Sequence, residues 1–100
     1  MTRLLAAALL LLPVAVPCAE APPDERAAAY QEFRRGFDAG DFAVALPSAT
    51  RVVDLTRNQF GKDAPQLANP LTNLGTTYYR LKRFGEALDS YREALTLLTA

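Results

Sequence analysis

Polar and aromatic side chains recur at helical spacing in two stretches of this sequence. Asn69, Thr72, Asn73, Thr76, Tyr79 and Arg80 lie three or four residues apart, so a single helix face would carry them together. Tyr30, Gln31 and Arg34, with Phe37 beside them, hold the matching positions earlier in the chain. Amides, hydroxyls and a guanidinium can hydrogen-bond a peptide backbone or a carboxylate, and tyrosine rings add contact area. That is the chemistry of binding. Each of these residues taken singly is also an ordinary solvated side chain, and Phe37 suits a core as well.

Covalent chemistry finds little to work with. The chain has no histidine, which removes Ser-His-Asp and Cys-His catalysis and every His-ligated metal site. Glu86, Asp89 and Glu93 would do acid–base or metal chemistry only in a pocket that shifts their pKa; on one exposed helix side they form a solvated face. Arg80, Lys82 and Arg83 are the only basic cluster. Cations at a helix C-terminus contribute about 0.3–1 kcal/mol, which accounts for them without a ligand. Eleven basic and eleven acidic residues, dispersed and of zero net charge, leave no nucleic-acid footprint. The single cysteine, Cys18, excludes an intramolecular disulfide framework. No catalytic residue, metal or cofactor is expected. At 100 residues the chain holds one small domain at most.

The elements that would position the polar face are helices. Leu71, Leu74, Gly75 and Tyr78 form one apolar stripe, and Phe84, Ala87, Leu88, Tyr91, Ala94 and Leu95 form a second beyond a polar break at Lys82-Arg83. Two antiparallel helices are predicted, with Gly75 and Ala87 permitting close approach and Tyr78, Phe84 and Tyr91 filling the remaining space. An earlier pair runs from Asp24-Glu25 to about Ala39, then from Phe42 onward, with Gly40-Asp41 between. Phe42-Ala43-Val44-Ala45-Leu46 aligns with Phe84-Gly85-Glu86-Ala87-Leu88, an offset of 42 residues. This internal repeat is degenerate: Phe33 stands in the place of Gly75, and Gly36 in that of Tyr78. Pro47 lies six residues into the second helix, beyond the first turn where proline is harmless. Pro70 after Asn69 suits an N-cap and first helical position, so the third helix begins there, or near Pro65 with a bend at Pro70.

The stretch Leu71–Ala94 resembles a tetratricopeptide repeat, whose signature runs W-x2-L-G-x2-Y, then A-x3-F, then P. Leu71 takes the Trp place, Leu74-Gly75, Tyr78 and Ala87 match, Tyr91 stands for Phe, and Ala94 is the next small packing residue. The closing Pro is missing near Thr99. The 42-residue spacing exceeds the usual 34, and the excess lies in Arg57–Asn69. A long second helix followed by a G-x-D-x-P-like turn resembles the kinesin-light-chain variety, over roughly residues 28 to 100. The resemblance implies an all-α fold of two helix-turn-helix units, residues 24–60 and 61–100, opening a superhelix, with a mild kink and no break at Pro47, since repeats of that variety tolerate proline after the Ala-Leu pair. It also makes Asn69, Thr72, Asn73, Thr76, Tyr79 and Arg80, with Tyr30, Gln31 and Arg34, the concave groove face for another protein or peptide.

The N-terminus carries a targeting segment. Arg3 precedes the unbroken Leu/Ala run Leu4–Leu12, and Pro13 and Pro17 follow before Ala19-Glu20-Ala21. These are the marks of a secretory signal peptide, residues 1–18, joined through a Pro/Ala linker, residues 19–23. The apolar run is too short for a membrane span, which needs about 20 residues, so no stable span is expected after cleavage at Cys18 or Ala19. The expected location is periplasmic or secreted. Cys18 just after the apolar core admits a lipoprotein anchor as a second reading, although Pro17 precedes it where a small residue is usual.

Three functions fit this sequence: a non-catalytic binding module of an exported protein, the N-terminal arm of a larger exported enzyme, or a self-associating structural repeat. Leu88, Leu95 and Leu98 carry apolar surface around the last helix. They predict further repeats beyond Ala100, self-association, or docking on a partner.

Overall fold

The computed structural model describes residues 24–99. The signal peptide and linker expected over residues 1–23 lie outside the described residues. The described chain is four helices: α1 (Glu25–Asp38), α2 (Phe42–Phe60), α3 (Ala68–Arg80) and α4 (Phe84–Thr99), with a 3-10 turn at Pro65–Leu67 leading into α3. The chain is all-α, as predicted. Helices α1 and α2 form one antiparallel hairpin, α3 and α4 a second, and α2 packs against α3 to join them.

Local chemistry sets the ends. The Asp24 carboxylate accepts from the backbone N–H groups of Arg26 and Ala27 at 3.1 and 3.3 Å, capping α1. Asp41 does the same for α2 through the Val44 N–H at 3.2 Å. Pro47 sits within α2, which nonetheless runs unbroken from Phe42 to Phe60. Of the two starts open to the third helix, the earlier one holds. Leu67 is fully buried and Ala64 and Ala68 are buried beside it, so the chain is anchored and turning before Pro70. Pro70 then falls in the first turn of α3, where a missing N–H costs little. Asn69 is an exposed second residue of that helix, not its cap.

The turns inside the two hairpins match bond for bond at the 42-residue offset. Gly40 N–H donates to Phe37 O at 3.0 Å and Asp41 N–H to Gly36 O at 2.9 Å; Lys82 N–H donates to Tyr79 O at 2.9 Å and Arg83 N–H to Tyr78 O at 2.8 Å. Each pair satisfies the last free carbonyls of the preceding helix, and the motif needs a left-handed residue at its centre. The first turn has Gly40 there, at φ 76°, and the second has Lys82, at φ 64°. A side chain in that conformation is strained. Lys82→Gly is therefore expected to stabilise the protein by about 0.5–1 kcal/mol, read as a rise in thermal midpoint; a fall would contradict this account of the turn.

The core runs through both hairpins: Phe33, Ala45, Ala49, Val53, Leu67, Leu71, Leu74 and Ala94, with Phe37, Leu46, Tyr78 and Leu97 packed against it. Gly75 is buried, and a Cβ built on it would lie 2.7 Å from the Tyr91 ring, whereas Gly85 faces open space. Phe84 does not fill space between helices as predicted. It is 57% exposed, with its ring edge-on to Tyr79 at 5.4 Å. Phe42, its counterpart in the first hairpin, lies 5.2 Å beneath the Arg80 guanidinium of α3. No described helix follows α4 to cover Phe84 in the same way.

Candidate functional site

A cleft of about 510 Å³ opens between the N-terminal halves of α1 and α3. Arg26, Ala27 and Tyr30 of α1 form one wall, Gln66, Asn69 and Pro70 the other, and Val52 of α2 contributes between them; Asp24 stands at one end. Helical spacing assembles each wall: Arg26 is one turn before Tyr30, and Gln66 one turn before Asn69. Tyr30 keeps 43% of its surface exposed. Arg26 is held in place, its Nε donating to Gln59 Oε1 at 3.1 Å and its guanidinium 5.1 Å above the Phe60 ring. Two primary amides, a phenol, a guanidinium and an apolar floor together provide donors and acceptors for a peptide backbone, with room for an apolar side chain.

The predicted groove residues divide. Tyr30 and Asn69 meet in the cleft. Gln31 and Arg34 are exposed further along α1, with Arg34 paired to Asp38 at 2.9 Å. Thr72 is exposed, and its hydroxyl donates to Ala68 O at 2.8 Å; Asn73 is half-buried and its backbone carbonyl accepts from the buried Thr77 hydroxyl. Thr76 does not face away from its hairpin partner: its Oγ1 shares a 2.8 Å hydrogen bond with the Tyr91 hydroxyl of α4. The reason is Gly75, which leaves room for the Tyr91 ring against α3 so that its hydroxyl reaches the next residue. Tyr79 is 56% exposed against Phe84. Arg80 is spread over Phe42 and Phe37, at 5.2 and 6.0 Å, and so joins the two hairpins. Arg26, Gln66 and Val52 were missed. The spacing signal existed for the first two, but Gln66 falls in a stretch with the composition of a turn.

The charged residues expected to be solvated are exposed, and Arg83, Glu86 and Glu93 among them are paired. Arg83 grips Glu86 through two bonds of 2.8 and 2.6 Å, and the hydrogen bond to Glu86 raises the guanidinium's pKa above its ordinary value. Glu93 pairs with Arg57 at 2.7 Å, linking α4 to α2. Among the described residues no three His, Cys, Asp or Glu side chains converge as metal ligands, and no helix is long and apolar enough to cross a membrane.

Paired helical hairpins of one register, stacked through the second helix of one and the first of the next, define an α-helical repeat protein. The family model described as tetratricopeptide repeat matches residues 37–100, well over half the chain, and the protein belongs to that family. No curated protein and no solved structure matches the chain. Members of the family generally serve as scaffolds for protein–protein interaction and are typically non-catalytic.

Proposed function

We propose that this chain is a non-catalytic module of an exported protein that binds an extended segment of another protein, and that the cleft between α1 and α3 is where it does so. The observation that carries this reading is the cleft itself: it lies between the first helices of two successive hairpins and is walled by Tyr30, Gln66 and Asn69. The 42-residue register, kept in both turns, supports placing the repeats in the long, kinesin-light-chain-like variety. Arg3 and the Leu4–Leu12 run support export, to the periplasm or outside the cell; N-terminal sequencing of the mature protein should begin between Cys18 and Pro22.

The test of the cleft is a peptide-library selection on the purified protein, with the selected peptide mapped by amide chemical shifts. Perturbations should concentrate on Arg26–Tyr30 and Gln66–Asn69. Tyr30→Ala combined with Asn69→Ala should weaken binding about tenfold or more, the size of one lost anchor, with helicity unchanged. A peptide whose shifts map instead to the exposed sides of α2 and α4 would sink the reading.

A further inference from the structure

The repeat register pairs each position of α4 with one of α2, and the pairs differ in what covers them. Val53 of α2 lies in the core with Leu71 and Leu74 of α3, and Leu46 is half-buried against that core. Their counterparts 42 residues on, Leu88 and Leu95, are 47% and 61% exposed. Thr56 is fully buried, while Leu98 in the matching place is 67% exposed. With Phe84, these residues make α4 present the same kind of helix-seating face that α2 offers to α3, uncovered among the described residues. Four large apolar side chains along one exposed helix side make a candidate interaction surface.

We propose that this face binds a second copy of the chain, α4 against α4, antiparallel about a two-fold axis near Tyr91. Head-to-tail stacking is disfavoured by α1. Where α3 meets α2 with Leu71, Leu74 and Tyr78, the matching residues of α1 are Ala29, Glu32 and Gly36, and Glu32 is exposed. A second copy's α1 would thus bring a carboxylate and little apolar bulk to the seat. The face of α4 instead complements itself. Residues 84 and 98 lie seven positions either side of 91, and 88 and 95 lie three before and four after it, so a two-fold there sets Phe84 opposite Leu98 of the second copy, and Leu88 within one residue of level with Leu95 of the second copy. This is the isologous arrangement that closes a dimer and propagates no further.

Charge agrees with the same axis. Asp89 and Arg92 flank the strip, and neither takes part in the ion pairs of the described residues. The two-fold places Asp89 of each copy one residue rise, about 1.5 Å, from the level of Arg92 of the other, on the same side of the helix pair. One helix pair of roughly 21 Å, at 1.5 Å per residue, gives an interface at the small end of specific ones. The dimer is therefore concentration-dependent.

Sedimentation velocity of the purified full chain, from low micromolar to near-millimolar, tests this. A reversible monomer–dimer equilibrium is expected. Leu88→Glu with Leu95→Glu should abolish it while leaving far-ultraviolet circular dichroism unchanged, since both side chains point out of their own hairpin. Asp89→Arg and Arg92→Asp should each weaken the dimer about threefold to tenfold, and the two together should restore it. A monomer at every concentration overturns the proposal and assigns the face to a helix of the α3 type, which a synthetic peptide of residues 65–83 would then occupy. Association that survives the double leucine change, as it would through the Leu4–Leu12 segment, also overturns it. So does a charge-swapped double variant no tighter than either single change.

Discussion

Gly75→Phe is expected to lower stability by about 3 kcal/mol, the upper end of the cost of overpacking, and Tyr91→Ala in the same chain should recover most of that loss. The reason lies in how the two hairpins fill one equivalent slot. In the second, Gly75 of α3 leaves room for Tyr91 of α4, whose ring would lie 2.7 Å from any added Cβ. In the first, the equivalent places hold Phe33 on α1 and Ala49 on α2, both 2% exposed and in the same core cluster. The aromatic ring comes from opposite helices in the two units. Gly75→Phe alone supplies two rings where one fits. Tyr91→Ala alone leaves a cavity and strips Thr76 of its 2.8 Å hydrogen-bond partner. The double variant recreates the first hairpin's solution in the second. For a domain of this size each kcal/mol moves the thermal midpoint by about 4–8 °C, so the single and double variants should separate widely in a melting curve. Additive losses in the double variant would show that the two slots are not equivalent.

Leu67→Ala should cost about 2–5 kcal/mol, the usual range for a buried leucine, and this from a fold whose total stability is of order 5–15 kcal/mol. Leu67 is fully buried at the end of the 3-10 turn, and that turn touches α2, α3 and α4. Its side chain is shared by both hairpins. Urea unfolding should therefore show a lower midpoint, and the loss of common core should loosen the α2–α3 junction before either hairpin opens. A loss below about 1 kcal/mol, the range of an exposed site, would mean that the 3-10 turn is a connector only.

The local signals were legible because they depend on near neighbours. Helical periodicity, the helix start at Asp24-Glu25, the breaks at Gly40-Asp41 and Lys82-Arg83, and the contact of Gly75 with the last helix all follow from residues within one hairpin. The apolar surface that Leu88, Leu95 and Leu98 carry around the last helix was anticipated on the same grounds, whereas the unbroken α2 through Pro47 was what the family resemblance implied. Equivalences between copies were legible too, since Phe42 and Phe84 carry the register in their flanking residues.

The chain's own sequence thus determined the element type, the 42-residue repeat and the side of each helix that turns inward, because a helix face is set by covalent connectivity and 3.6-residue periodicity. Tertiary structure decided what periodicity does not contain. Which aromatic fills the shared slot depends on the residue opposite, so Thr76 turns to meet Tyr91 and leaves the groove. The start of α3 depends on whether Leu67 finds a buried seat against α2, which composition around Pro65 and Pro70 does not specify. Phe84 is exposed and Phe42 half-buried because Arg80 crosses over to one of them. And the cleft that unites Tyr30 with Asn69 exists only because the packing of α2 on α3 sets two distant helix faces side by side.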